Sequence, residues 1–358
     1  MTLSNNYDAF LALVRLGIGH PVYKLPDILD WQAIQALALK HGLVAVVLDG
    51  VEKLPDNKRP PQALLLQWIG EVLQNYEQRY DLYCKAIAEI AEFYNTHHYK
   101  MMVLKGYACS LDWPKPEHRP CGDIDIWLFG LQKHADICLQ ESTGVKVDDS
   151  YHHHTVYHWN NFSVENHYDF LNVHHHKSNE ALEAILKDLG RDDNYYVQLH
   201  GEWVYLPSPN LHALFLLRHI LSDFASTNTT FRQLLDWAFF VEKHGKNVDW
   251  IWLETVLNKF GMKPAYSIIN AICVEDLGFH SDIFPTVQYE PRLKNRVLNE
   301  ILSPEFTEIE KGGIVSRALF KYRRWKANKW KHELCFNDSM SSAFWSGVKS
   351  HLLKPASI

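Results

Sequence analysis

The run Gly122-Asp123-Ile124-Asp125-Ile126 sets two carboxylates two residues apart. On a strand, alternate side chains share a face, so Asp123 and Asp125 point one way and Ile124 and Ile126 the other. Buried together and unpaired, two carboxylates raise each other's pKa, and a divalent cation is the simplest compensation. The other reading is a solvated edge strand, and the flanking Ile, Trp127 and Leu128 argue instead for a central one. If two Mg²⁺ or Mn²⁺ ions are to clamp an in-line displacement at phosphorus, a third carboxylate is required. The stretch Ser163 to Asp169 supplies it: Glu165, His167 and Asp169 share a face by strand period, with Glu165 the first choice and Asp169 behind it.

Groups that can meet an anion lie nearby in sequence. Leu104-Lys105-Gly106 ends an apolar run and opens a predicted helix, where backbone N–H groups face an anion and Lys105 adds positive charge. Arg119 either contacts a phosphate oxygen or pairs with Glu117. His167 either touches carboxylate or substrate or is a hydrogen-bonded structural histidine. Arg232 and Asp236, four apart on a predicted helix, form an intrahelical ion pair or sit on a helix that closes over a nucleotide. From Arg317 to His332 the chain carries basic residues and no acid, interleaved with Phe320, Tyr322, Trp325 and Trp330. Such a segment grips RNA or is a solvated face, and the second reading is preferred. The histidine triplets 152–154 and 174–176 suggest zinc, but on a strand each offers at most two ligands on one face.

The elements that must position these groups follow from periodicity. Residues 1–95 read as a helical domain: Trp31, Ile34, Leu37, Ala38 and His41 recur at helical spacing after Asp30, a predicted N-cap, and Gly42 ends the run. A second helix is predicted from Pro61 to Tyr94. Residues 96–207 read as a mixed α/β core, with strands at Met101 to Leu104, Ile124 to Leu128, Val145 to Asp149, Thr155 to Trp159 and Phe162 to Asp169. Asn160-Asn161 is a predicted hairpin turn, and Tyr195 to Leu199 with Trp203 to Leu206 form a second hairpin. Residues 208–358 return to helical spacing.

With 47% hydrophobic and 22% charged residues the chain can bury a core, and disorder is excluded as a general state. A net charge of −6 argues against a surface devoted to nucleic acid. The six cysteines are scattered without a Cys-x-x-Cys pair, so free thiols in a reducing compartment are expected. Met1 to Leu16 lacks the pattern of a signal peptide, and the aliphatic run Leu43 to Leu48 is too short to span a bilayer. The expectation is a cytoplasmic protein with no membrane association.

Three elements, Leu104-Lys105-Gly106, Arg119-Pro120-x-Gly122-Asp123-Ile124-Asp125 and Glu165-x-His167, resemble the signature of an uncharacterised bacterial nucleotidyltransferase family of the polymerase-beta superfamily. Asp30-Trp31 to His41-Gly42-Leu43 and Phe231-Arg232-x-x-Leu235-Asp236 also resemble it, so the likeness spans most of the chain. It implies an α+β fold: a polymerase-beta-like core of mixed sheet and helices, flanked by helical domains at both ends. It implies transfer of a nucleoside monophosphate from a nucleoside triphosphate, with Asp123, Asp125 and Glu165 as metal ligands and catalytic residues. The resemblance gives Gly106 the helix-opening role at the nucleotide; from the residues themselves, Lys105, Arg119, Gly122, Arg232 and Asp236 are the further candidate nucleotide contacts, and His167 and Asp169 candidate substrate contacts. Tyr107 replaces the small hydroxyl residue that follows the helix-opening glycine in the superfamily. The acceptor is unidentified, a small molecule or protein being favoured over RNA. The alternative is a catalytically silent protein that binds nucleotide or a partner on the same fold.

Overall fold

A computed structural model describes residues 3–21, 25–173, 177–226, 229–285, 288–306 and 314–341. In chain order the helices are α1 (Leu3–Gly17), α2 (Trp31–His41), α3 (Val44–Glu52), α4 (Gln62–Val72) and α5 (Gln78–Thr96). A mixed segment follows: β1 (Met102–Val103), α6 (Lys105–Ser110), β2 (Ile124–Trp127), α7 (Gln132–Thr143), β3 (His154–Trp159), β4 (Phe162–His167), α8 (Lys177–Leu189), β5 (Tyr196–Leu199) and β6 (Glu202–Tyr205). Helices α9 (Pro209–Ser226), α10 (Phe231–His244), α11 (Trp250–Lys259), α12 (Lys263–Glu275), α13 (Pro291–Leu302), α14 (Ile314–Ala327) and α15 (Lys329–Cys335) complete it. The fold is α+β, as the sequence leads one to expect.

Two compact units result. Among the described residues, one comprises those within 3–76, 217–246 and 250–337 and is helical; the other comprises those within 77–216 with the short pieces 247–249 and 338–341, and holds the sheet. The N-terminal and C-terminal helical stretches of the sequence therefore fall largely into one unit, and α5, inside the 1–95 stretch, belongs with the sheet. The reason is burial: Tyr83, Ile87, Ile90, Ala91 and Tyr94 of α5 join Ile124, Ile126 and Val164 in one core. Local periodicity does not encode which core a helix joins.

The helix predicted from Pro61 to Tyr94 is interrupted by a π-helical turn at Leu73–Glu77. One extra residue per turn rephases the apolar stripe, so Trp68 and Tyr76 are buried in one unit and Tyr83 in the other. Helix α2 has the predicted caps: Asp30 accepts from the Ala33 N–H at 3.1 Å, and Gly42 ends it at φ 66°.

The six-stranded sheet has the order β3-β4-β2-β1-β6-β5. Strands β2 and β4 are parallel, as are β1 and β6, and the other neighbours are antiparallel. Asn160, at φ 52°, turns β3 into β4, and His200-Gly201, at φ 50° and 94°, turn β5 into β6. Both are two-residue hairpin loops; the first falls where predicted, and the second is one residue shorter than the expected His200-Gly201-Glu202 because Glu202 joins β6. Val145 to Asp149 forms no strand; it meets β3 at a single bridge, Asp148 to Val156, beside the sheet edge. One face of the sheet packs on α5 and on Ala135 and Leu139 of α7. The opposite face carries the charged groups.

Candidate active site

The site is built on the central parallel pair. Asp125 of β2 lies in register with Glu165 of β4, and Trp127 with His167, so all four share a face. Asp125 is buried, Glu165 is half-buried, and Asp123 stands exposed one residue before the strand.

Asp125 is held by two cations on one oxygen. Lys105 Nζ lies 3.0 Å from Oδ1, and His167 Nε2 lies 2.9 Å from the same atom. Oδ2 has no hydrogen-bond partner among the described residues. Burial opposes the Asp125 charge, yet Lys105 and His167 hold its carboxyl well below the usual carboxylate range. Both His167 nitrogens face acceptors: Nδ1 donates to the Asp169 carbonyl at 3.3 Å, and Nε2 faces Asp125 and, at 3.5 Å, Glu165. Burial disfavours a charge on the ring, but the bonds to Asp125 and Glu165 outweigh it and hold the His167 pKa above its ordinary value. Glu165 is lowered against its burial by its bond to His167. Asp123, though its side chain is exposed, is raised by partial desolvation from the surrounding protein and then by the charges of Glu165 and Asp125.

Lys105 takes a left-handed φ of 36°, and its ammonium lies 5.5 Å over the Phe215 ring. Gly106 follows for a steric reason: a Cβ there would sit 2.3 Å from the Tyr83 hydroxyl. That hydroxyl donates to the Asp123 carbonyl at 3.0 Å. Tyr83, absent from the sequence reading, thus ties α5 and α6 to the segment carrying the carboxylates. At Gly122 a Cβ would meet nothing within 4 Å, so the fold does not demand glycine there. Arg119 is buried, and its Nη1 donates to the Pro120 carbonyl at 3.3 Å.

Asp169 departs from its expected place. Strand β4 stops at His167, so the alternation that was to align Asp169 with Glu165 ends first, and Asp169 pairs with Lys187 of α8. Arg232 and Asp236 lie on α10 in the helical unit, paired at 3.7 Å one turn apart. In the basic segment, Tyr322 and Trp325 are exposed and stacked, whereas Lys331 is buried on Glu300 at 2.5 Å.

The histidines contribute more than sequence reasoning allowed. His154 of β3 pairs directly with His167, and His153, His154 and His167 bring ring nitrogens within 4.8 Å of one another. Asp125, Glu165 and His167 form a second group of the same compactness. Burial pushes the His154 pKa down to about 4, so this ring is neutral and a competent ligand. Residues 174–176 lie outside the described residues. The chemistry available is hard-cation binding by carboxylates next to a charged imidazole and a lysine.

The family comparison agrees in class. Residues 27–278 match a family described as uncharacterised nucleotidyltransferase, and the chain belongs to that family. No curated protein matches it. Among solved structures it is similar to an antigenic nucleotidyltransferase-like protein from Paracoccidioides brasiliensis, at 14% identity and a TM-score of 0.36, over 56% of this chain and 95% of that one. No helix among the described residues is long and apolar enough to cross a membrane.

Proposed function

We propose that the chain transfers a nucleoside monophosphate from a nucleoside triphosphate to an acceptor, as the polymerase-beta superfamily does. The observation that carries this reading is the register of Asp125 with Glu165 across the parallel β2–β4 pair, with Asp123 just ahead. The donor set fits Mg²⁺ or Mn²⁺: Asp125 Oδ2 is unshared, Glu165 is half-buried, and Asp123 carries a carboxyl destabilised by its neighbours' charge. Asp123, Asp125 and Glu165 would hold the ions, which when bound neutralise charge on the transferring group and on the attacking and leaving oxygens.

The chain's own groups do the rest. An acceptor oxygen forms the bond to the α-phosphorus, the bond to pyrophosphate breaks, and the leaving oxygen takes the electron pair. Lys105, on a short tether at Asp125, exchanges that carboxylate for a phosphate oxygen when nucleotide arrives. His167 fixes Asp125 and Glu165 relative to each other. Gly122 leaves the backbone open to close approach by substrate. Arg119, Arg232 and Asp236 are kept as nucleotide contacts on their residue chemistry alone, and Asp169 as a substrate contact now paired with Lys187. The acceptor is a small molecule or a protein in preference to RNA, and the protein acts in the cytoplasm without membrane attachment.

One observation favours the second reading, a silent nucleotide-binding protein: Lys105 and His167 already neutralise Asp125. Incubation with each of four α-phosphate-labelled nucleoside triphosphates, Mg²⁺ or Mn²⁺ and cell extract separates the two. Label transferred to an acceptor, with pyrophosphate released, is expected. Nucleotide binding without consumption under every condition would overturn the transfer reading.

A further inference from the structure

Glu165 faces two ways. Toward β2 it meets Asp125; toward β3 it meets histidine, because the antiparallel register that sets Val156 against it also sets His154 against His167. His153 stands one residue ahead of β3 and so escapes strand alternation. Its carbonyl accepts from the N–H groups of Tyr168 and Asp169, both at 3.1 Å, which ties the end of β4 to the start of β3. Its ring joins the same cluster, with centroids 4.3 Å from His154 and 5.7 Å from His167.

Imidazoles gathered around one carboxylate are the wrong donors for Mg²⁺, which takes oxygen, and suit a borderline ion such as Zn²⁺. Their placement agrees with ligation. His154 is 7% exposed, and its Nδ1 is buried with no hydrogen-bond partner among the described residues. That nitrogen stands 3.9 Å from Glu165 Oε2, too far for a hydrogen bond. The fold alone gives no reason to bury it so, since an unsatisfied polar atom costs stability. His167 Nε2 approaches the same Glu165 oxygen at 3.5 Å. Ligand atoms roughly 2.0–2.2 Å from a tetrahedral ion lie about 3.3–3.6 Å apart, so a small inward shift of His154 closes the set. Both rings are also held from behind. His167 Nδ1 donates to the Asp169 carbonyl at 3.3 Å, the kind of support that presents the other ring nitrogen to a metal. The His154 ring stacks on Tyr151 at 4.8 Å. The Glu165 side chain is 25% exposed, so an ion can enter beside it.

We propose that His154 Nδ1, Glu165 Oε2 and His167 Nε2, with His153 as a fourth donor, bind a transition-metal ion of the Zn²⁺ class in preference to Mg²⁺. On binding, His167 Nε2 exchanges its contact with Asp125 for the ion, any proton it carries passes to solvent, and Asp125 is left to Lys105. The site does not depend on the transfer reading. It makes Glu165 common to a hard donor set and a borderline one.

The test is calorimetric titration of the metal-free full chain with Zn²⁺ in a large excess of Mg²⁺, with the visible absorption spectrum of the Co²⁺-loaded chain in parallel. A single tightly bound equivalent of Zn²⁺ is expected, weakened at least about tenfold by His154→Ala. His158→Ala removes an exposed imidazole from the same strand and should leave that binding intact. Co²⁺ should absorb intensely, as a four-coordinate ion does, and Glu165→Gln, which keeps the side chain's shape, should lose the band. If His154→Ala fails to fold, the wild-type and Glu165→Gln spectra decide. No tight Zn²⁺ binding by the wild-type chain would overturn the proposal. So would unchanged Zn²⁺ affinity in a folded His154→Ala chain, or a weak, six-coordinate Co²⁺ spectrum. His154-dependent Zn²⁺ binding by a chain that transfers no nucleotide would sink the transfer reading and leave this site standing. Transfer with Mg²⁺ by a chain that binds no Zn²⁺ would do the reverse.

Discussion

Strand β2 presents two faces that are equally buried and physically opposite. Ile124 and Ile126 meet α5 and α7 in a close-packed apolar core. Few polar groups enter that side: Asp136 accepts from Thr155 at 2.9 Å and from Asn166 Nδ2 at 2.8 Å, and Asn166 Oδ1 is left without a partner among the described residues. On the other face, Asp125 keeps its charge against burial only because Lys105 and His167 share one of its oxygens, and Trp127 stacks on Phe170 with its indole N–H unpaired. Replacing a buried ionic cluster by apolar side chains is often neutral or stabilising. The charged face therefore carries costs that the fold does not require, which is the physical mark of a functional surface.

If the apolar face serves the fold alone, Ile126→Ala should show the largest loss of stability. About 2–5 kcal/mol is expected, the usual cost of a buried Ile-to-Ala cavity, read by urea denaturation. A loss below about 1 kcal/mol would mean the core is slack and the contrast between faces overstated. Gly106→Ala tests the seam between the faces. Its Cβ would strike the Tyr83 hydroxyl, so roughly 1–3 kcal/mol of overpacking is expected. Tyr83→Phe alone should destabilise by removing the bond to Asp123, yet in the Gly106→Ala background it should restore stability. Simple additivity in the denaturation midpoints would refute that reading.

A smaller effect concerns Glu183 of α8, which is 4% exposed and accepts from the backbone N–H groups of Phe170 and Leu171. Burial pushes its pKa up to about 7 despite those bonds. The native state therefore holds a proton that the unfolded chain, with an ordinary glutamate, releases. Stability contributed by that proton is present below the unfolded pKa and is lost as pH rises through about 7. Denaturation at pH values spanning this window should show a decline on the order of 1–3 kcal/mol that Glu183→Gln flattens. Parallel pH profiles for the two proteins would contradict the assignment.

Much of the charged face was legible because strand alternation is a local rule. Asp125 and Glu165 fall where period two puts them, whereas Asp123 stands one residue before β2 and Asp169 two residues beyond the end of β4. The histidine cluster was legible in principle. A two-residue turn at Asn160-Asn161 fixes pairing from Trp159 with Phe162 outward to His154 with His167. Considering each triplet by itself hid that juxtaposition. Tyr83 was not legible, since its role depends on α5 crossing close to Gly106 and Asp123, a long-range approach that no local pattern announces. The same holds for the two units: caps such as Asp30 and Gly42 mark where a helix starts and stops, whereas its partners are set by tertiary packing.

Asp123→Asn tests the central claim most directly, because the two faces then predict opposite things for one side chain. Partial desolvation, Glu165 and Asp125 all disfavour the charge of the exposed Asp123, so removing it should leave metal-free stability unchanged or slightly higher. Transfer of label from an α-phosphate-labelled nucleoside triphosphate should nevertheless fall on the order of a hundredfold or more in saturating Mg²⁺. A variant that folds as well as the wild-type chain and no longer transfers is the predicted result. Near-wild-type transfer by the folded variant would contradict the account.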